Sequence, residues 1–297
     1  MQVAVGFFDE STDDETHGQC YAVAGFLGSQ WATAALEMEW RPLLDKYEID
    51  YFKASELNAG EGEFKKFRDD PNAKEWAPFS DREKEFFKGI KADFTSVITN
   101  ARDILGIGVA LVLPDYYRLR EENPLAKKNL LTPYHLCAQT MLMEAGMMMY
   151  ETNKELAPSS RALMKPVFDS HEQYSGRMKM AFDTFRVKNP NSSTYLLPPD
   201  YEDEKVYLTL QAADNLAYES RRYLLHRHFG TPSEPRRAMT ELLNQGSVVR
   251  LYKLDYRSLK IIAESQTADR LPINPVQDIN LTDMGNPLAA YNSRHYD

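Results

Sequence analysis

The sequence predicts an α/β fold in which strands alternate with helices around one core. Two apolar runs of strand length support this prediction: residues 3–8 near the start of the chain, and residues 104–113, which end at Pro114. Between and after these runs, apolar residues recur at helical spacing. With 297 residues, of which 43% are hydrophobic, the chain is long enough to bury a substantial core.

The N-terminal part is predicted to form a strand hairpin and then a helix. The first apolar run and residues 21–27 are joined by a polar segment, so we expect them to be antiparallel neighbours. Helical spacing over residues 31–47 predicts the first helix, with Pro42 as a candidate break. Residues 49–57 predict a short third strand, and the charged, Gly-containing residues 58–74 predict an exposed loop.

Later elements are predicted from helix-start signals and from apolar runs. Ser80-Asp81-Arg82-Glu83 is a capping-box pattern that opens a helix, and Thr132-Pro133 opens another. Residues 166–169 predict a strand, and residues 206–229 predict a late helix. We expect a single domain over residues 1–264, followed by an irregular C-terminal tail rich in Pro, Asn and Asp over residues 265–297.

Composition narrows the classes of function. The formal net charge of -9 argues against bulk electrostatic attraction to nucleic acid, although a local basic groove stays open as an alternative. Two cysteines without disulfide-like or metal-like spacing favour a reducing cytoplasm. A secretory leader and an apolar run of membrane-spanning length are not expected. The sequence also lacks HExxH, GxxxxGK[ST] and GxSxG patterns, which disfavours zinc, ATP and serine chemistry.

Acidic residues stand where apolar segments end or pack. Asp9 and Asp169 each follow a short apolar strand, and Asp214 lies among small apolar residues on the late helix. A buried carboxylate must be paired, protonated or bound to a metal ion. Mg²⁺ and Mn²⁺ prefer oxygen ligands, so these acids predict a divalent metal site. The alternatives are solvent-facing strand ends and a pairing of Asp214 with Arg221 or Arg222.

Four segments in order carry a resemblance to a known family. They are Asp9-Glu10-Ser11, Lys53-Ala54-Ser55-Glu56-Leu57, Val167-Phe168-Asp169 and the stretch from Leu210 to Tyr218. Together, over residues 3–230, the chain resembles the family catalogued as domain of unknown function 3800. The resemblance implies a ribonuclease H-like mixed sheet flanked by helices and a metal-dependent nuclease. The family's usual His before Ala-Ser-Glu is Lys53 here.

The resemblance also implies roles for individual residues. One or two Mg²⁺ or Mn²⁺ ions are expected on four carboxylates, those of Asp9, Glu56, Asp169 and Asp214. The expected reaction is hydrolysis of a nucleic-acid phosphodiester by two metal ions that hold the attacking and leaving oxygens. Substrate contacts are expected from Lys53, His171 and Gln211. Glu10 ranks below Asp9 because strand alternation turns it to the opposite face of the sheet.

Two other functions stay open at this stage. A binding or scaffold protein could keep the same fold without catalysis, and its carboxylates would lie too far apart to share an ion. A metal-dependent phosphoesterase acting on a small nucleotide would agree with the acidic net charge. A closed pocket would favour the small substrate, whereas an open groove edged by basic residues would favour nucleic acid.

Overall fold

A computed structural model describes residues 2–12, 18–70, 72, 78–170, 175–230, 242 and 248–265. The strands in these residues are β1 (Gln2–Thr12), β2 (Cys20–Ser29), β3 (Ile104–Val112), β4 (Ala162–Asp169), β5 (Asp200–Glu202) and β6 (Val248–Leu254). They form one six-stranded mixed sheet in the order β5-β4-β1-β2-β3-β6. β2 is antiparallel to both of its neighbours, and the other described pairings are parallel. The fold is therefore α/β, as predicted.

Helices flank the sheet. They are α1 (Gln30–Tyr47), α2 (Ala54–Ala59), α3 (Asp81–Asn100), α4 (Leu113–Glu122), α5 (Pro124–Asn129), α6 (Pro133–Asn153), α7 (Ser175–Lys188), α8 (Pro190–Ser193), α9 (Leu208–Phe229) and α10 (Tyr256–Ser265). Short 3-10 turns cover Gly62–Phe67 and Pro158–Ser160. Within the described chain, every helix falls short of the length and apolar character that crossing a membrane requires.

Strand alternation divides the core between the two faces of the sheet. On one face, Phe8 and Val23 belong to an apolar cluster with Met141 of α6. On the other face, Phe26 belongs to a cluster with Leu216 of α9 and residues of α1 and α3. From Leu208 to Arg221, every residue of α9 is buried, so this helix is the central element of its layer. Side chains at the sheet-facing side of α9 thus lie over β1 and β2.

Most predicted elements are confirmed, with one clear error. The hairpin of β1 and β2, the capped helix α3, the buried strand β3, and α6, β4 and α9 occur where the sequence predicts them. The helix α1 continues through Pro42. The predicted third strand over residues 49–57 is wrong, because residues 49–53 are irregular and α2 begins at Ala54.

Aromatic packing explains this error. Phe52 is completely buried, with its ring centroid 4.4 Å from that of Phe94 and 5.6 Å from that of Trp40. Phe52 therefore packs against helices of the same layer and does not belong to the sheet. The predicted loop over residues 58–74 also contains a 3-10 turn, in which Phe64 is buried. The predicted tail lies outside the described residues from 266 onward.

The capping box of α3 gives a test of the fold. Ser80 accepts a hydrogen bond from the Glu83 amide, and the Glu83 carboxylate accepts one from the Ser80 amide. We expect Ser80→Ala to lower the free energy of unfolding by about 1 kcal/mol, because it leaves the first turn of α3 uncapped. Urea denaturation measures this change. Ser96→Ala, at an exposed position of the same helix, should change it by less than about 0.5 kcal/mol, and equal losses in the two variants would contradict the capping role.

Candidate metal centre

The pairing of β1 with β4 brings two of the predicted acids together. In this parallel register Phe8 lies opposite Phe168, so the next residues, Asp9 and Asp169, are neighbours on adjacent strands. Asp169 ends β4, whereas β1 continues past Asp9 to Thr12. Phe7, two residues before Asp9, packs in a cluster with Leu210 of α9, which shows that this side of β1 faces α9. The two carboxylates therefore lie on the same face of the sheet, beneath α9.

A third acid completes the group, and the sequence did not predict it. Glu204 follows the edge strand β5, and its amide donates to Asp169 Oδ1 at 3.3 Å. One carboxylate oxygen from each of Asp9, Asp169 and Glu204 lies within 4.8 Å of the others. We call these residues the three-acid group. Asp9 and Glu204 are buried, and Asp169 is half-buried.

Asp214 lies beside the three-acid group and is held by backbone. Asp214 is buried on α9, and its Oδ2 accepts a hydrogen bond of 2.6 Å from the amide of Ala54. The arginine pairing that the sequence left open is not among the described contacts of Asp214, and Arg221 instead donates to Ser11 Oγ at 3.0 Å. Asp214 thus fixes the start of α2 against α9.

Gln211 forms hydrogen bonds both to the segment before α2 and to Glu204. Its Oε1 accepts from the Phe52 amide and from Trp40 Nε1, both at 3.0 Å, and its Nε2 donates to the Glu204 carbonyl at 2.9 Å. The residue is completely buried. These contacts give Gln211 a positioning role, since its amide is turned toward protein groups and not toward a surface where substrate could bind.

Lys53 lies between Phe52 and Ala54, whose amides bind Gln211 and Asp214. Its side chain faces the acids. Its Nζ is 2.7 Å from Glu204 Oε1. Burial opposes the charge of Lys53, but the attraction of Glu204, and then of Asp214 and Asp9, outweighs burial and raises the pKa of Lys53 above its ordinary value. The ammonium is therefore charged at neutral pH.

The carboxylates are held in surroundings that favour their protonated forms. Burial, followed by repulsion from Glu10, Asp214 and Asp169, raises the pKa of Asp9 well above its ordinary value. Burial raises the pKa of Asp214 to about 7, against the opposing effects of Lys53 and the Ala54 amide. The pKa of Glu10 also rises to about 7, first from burial and then from Asp169. A bound cation that neutralises these carboxylates would therefore stabilise the cluster.

The predicted ligand Glu56 is not part of the three-acid group. The Tyr51 hydroxyl lies 3.0 Å from both of its carboxylate oxygens. A Cβ at Gly62 would lie only 1.7 Å from Glu56 Oε2, so the carboxylate packs directly on that glycine. These contacts hold Glu56 at the first turn of α2, and Glu204 takes the place that was predicted for it. The predicted substrate contact His171 lies outside the described residues.

The donor set fits a hard divalent cation. Glu204 Oε2 is buried and accepts no hydrogen bond from the described residues, which leaves an oxygen without a partner inside a cluster of like charge. All the available donors are carboxylate oxygens, the ligands that Mg²⁺ and Mn²⁺ prefer. Asp9, Asp169 and Glu204 are therefore the residues that would hold such an ion.

Comparison with known proteins adds no relative. The chain matches no family model, no curated protein and no solved structure. The family resemblance therefore stays a prediction.

The raised pKa of Asp214 predicts how stability depends on pH without metal. Its folded-state pKa of about 7 exceeds the value of about 3.9 for an exposed Asp, so the folded state binds the proton more tightly. This contribution to stability is complete below about pH 4 and is lost as the pH rises through about 7. In EDTA, we expect Asp214→Asn to flatten the decline of Tm between about pH 5 and 8. Asp183→Asn, at an exposed position of α7, should keep the wild-type profile. Parallel wild-type and Asp214→Asn profiles would contradict the shift.

Proposed function

We propose that the protein is a metal-dependent nuclease that hydrolyses phosphodiester bonds. The observation that carries this proposal is the convergence of one oxygen each from Asp9, Asp169 and Glu204 within 4.8 Å. Three carboxylates from separate segments at one end of the sheet are what a shared Mg²⁺ or Mn²⁺ ion needs. Burial of Asp9 and Glu204 makes such a cluster costly unless a cation neutralises it.

The fold supports a ribonuclease H-like assignment. β1, β2 and β3 form consecutive antiparallel pairs, and β4 and β5 continue the sheet in parallel on the other side of β1. This order is compatible with the ribonuclease H-like layout that the sequence resemblance implies, with β6 added beyond β3. Asp9 and Asp169 are neighbours on the parallel strands β1 and β4, with Asp169 at the carboxyl end of β4.

The residues of the site have separate roles in hydrolysis. A divalent ion held by the three-acid group would act as a Lewis acid toward water and a phosphate oxygen. A water oxygen forms the new bond to phosphorus and releases its proton to solvent. The bond from phosphorus to the leaving oxygen breaks, and that oxygen keeps the electron pair and takes up a proton. Gln211 and Asp214 keep the acids and residues 52–54 in place.

Basic residues near the site support a phosphate-rich substrate. Lys53 reaches Glu204 within the site. Arg221, on α9, contacts Ser11, which lies two residues after Asp9 and on the same face of β1. Charges of this kind position a nucleic-acid backbone without reading its sequence.

A binding or scaffold function is the second candidate. The ion pair of Lys53 with Glu204 neutralises part of the acidic cluster without any metal. In this alternative the lysine is a permanent counter-ion, and the fold persists for binding alone. Mn²⁺ binding without hydrolysis of DNA or RNA oligonucleotides would favour this candidate.

Variants of the three-acid group test the nuclease proposal. We expect Glu204→Gln and Asp9→Asn each to weaken Mn²⁺ binding at least about 10-fold and to slow hydrolysis at least about 100-fold, because each removes a charged ligand. Isothermal titration measures the first change, and cleavage of labelled single-stranded and duplex oligonucleotides measures the second.

The matched control is Asp203→Asn. Asp203 is exposed, and its carboxylate accepts only the Lys205 amide among the described hydrogen bonds, a contact that asparagine can also make. This variant should keep wild-type Mn²⁺ affinity and rate. Unchanged Mn²⁺ affinity in Glu204→Gln and Asp9→Asn would overturn the proposed metal site.

A further inference from the structure

Lys53 is held in the site by its neighbours along the chain. The Phe52 amide donates to Gln211 at 3.0 Å, and the Ala54 amide donates to Asp214 at 2.6 Å. The backbone on both sides of Lys53 is therefore fixed to α9, the helix that covers the three-acid group. A long flexible side chain placed in this way has a limited region to reach, and its Nζ contacts Glu204 Oε1.

The hydrogen bonds of the three-acid group bear on how many metal ions it can bind. The Glu10 amide donates to Asp9 Oδ1 at 2.8 Å, and the Glu204 amide contacts Asp169 Oδ1. Lys53 occupies Glu204 Oε1, and Glu204 Oε2 accepts nothing from the described residues. One oxygen of each carboxylate is thus engaged by a protein N–H group. One oxygen of each of the three acids converges within 4.8 Å, which suits one shared cation.

A second divalent ion would compete with Lys53. Its ligands would include Glu204 Oε1, which pairs with Lys53, or Asp214, whose Oδ2 accepts a hydrogen bond from the Ala54 amide. It would also lie close to a charged ammonium, and repulsion between two cations at such short range is strong in a partly buried site. Lys53 therefore places a positive charge beside the three-acid group, where it would repel a second metal ion.

We infer that Lys53 is the second cation of this centre, and that the site binds one divalent ion and uses the Lys53 ammonium to bind the scissile phosphate. This inference rests on the proposed function. An ammonium has three N–H donors, so Lys53 can keep its bond to Glu204 and still donate to a phosphate oxygen. Its side chain is 33% exposed, which leaves the site open to a substrate on that side.

The role of Lys53 in hydrolysis is electrostatic. As the bond between phosphorus and the leaving oxygen breaks, the electron pair moves to that oxygen, and the ammonium stabilises the growing negative charge. Lys53 keeps its proton throughout, and the leaving oxygen takes a proton from solvent. Lys53 is therefore a catalytic residue that contacts substrate, and it differs in this from Gln211, which positions other groups.

Metal stoichiometry and phosphate binding test this inference apart from activity. Titration of the wild-type protein with Mn²⁺, followed by the electron paramagnetic resonance signal of the free ion, should give one bound Mn²⁺ at saturation. Lys53→Gln should still bind Mn²⁺ at the three-acid group. With Mn²⁺ present, inorganic phosphate should bind to Lys53→Gln at least about 10-fold more weakly than to wild type, and oligonucleotide hydrolysis should slow at least about 100-fold.

A neighbouring lysine supplies the control. Lys205 is exposed beside Glu204, with its ammonium 4.9 Å from the centroid of the Tyr51 ring, so Lys205→Gln should bind Mn²⁺ and phosphate as wild type does. If Lys53→Gln does not fold by circular dichroism, Lys53→Met keeps the aliphatic stem and carries the same expectations. Two Mn²⁺ ions per wild-type chain, or unchanged phosphate binding after loss of the lysine, would overturn the inference and leave the metal site standing. Absence of any Mn²⁺ binding to wild type would overturn both.

Discussion

Four carboxylates crowded at one end of the sheet set the constraint on which the site depends. Asp9, Asp169, Glu204 and Asp214 repel one another where burial already disfavours charge. The protein offsets this cost locally, because a separate backbone amide contacts an oxygen of three of them: that of Glu10 for Asp9, of Glu204 for Asp169, and of Ala54 for Asp214. Lys53 supplies the opposing charge for Glu204. A bound cation would neutralise the charge of the oxygens that these contacts leave.

The fold creates this cluster through one helix. α9 lies over β1 and β2, and its buried face carries Gln211 and Asp214, which fix residues 52–54 by hydrogen bonds. Gln211 also binds the Glu204 carbonyl, so one side chain joins the loop after β5 to the segment before α2. The aromatic packing of Phe52 on Trp40 and Phe94 anchors that segment in the core. The same contacts that complete the core therefore place Lys53 and the acids.

The part of the site that the sequence reveals is the part built on regular strands and helices. Asp9 and Asp169 end apolar runs, and Asp214 lies within an apolar helix, so local pattern was enough to identify them. Glu204 escaped prediction because β5 has only three residues and gives no apolar run, and an acid after Glu202 and Asp203 resembles a solvated surface. Residues 49–53 looked like a strand because their apolar side chains serve helix packing. Both errors arise where tertiary contacts, and not local periodicity, decide the structure.

A shared ion would turn this repulsive cluster into a stable centre, and crystallography can locate that ion directly. The decisive measurement is an anomalous difference map from a crystal grown with Mn²⁺ and recorded near the manganese absorption edge. We predict a single peak about 2.1 Å from one oxygen each of Asp9, Asp169 and Glu204, in line with hard-cation coordination distances. The absence of a peak at the three-acid group, with Mn²⁺ at saturating concentration, would contradict the claim that these carboxylates form a metal centre.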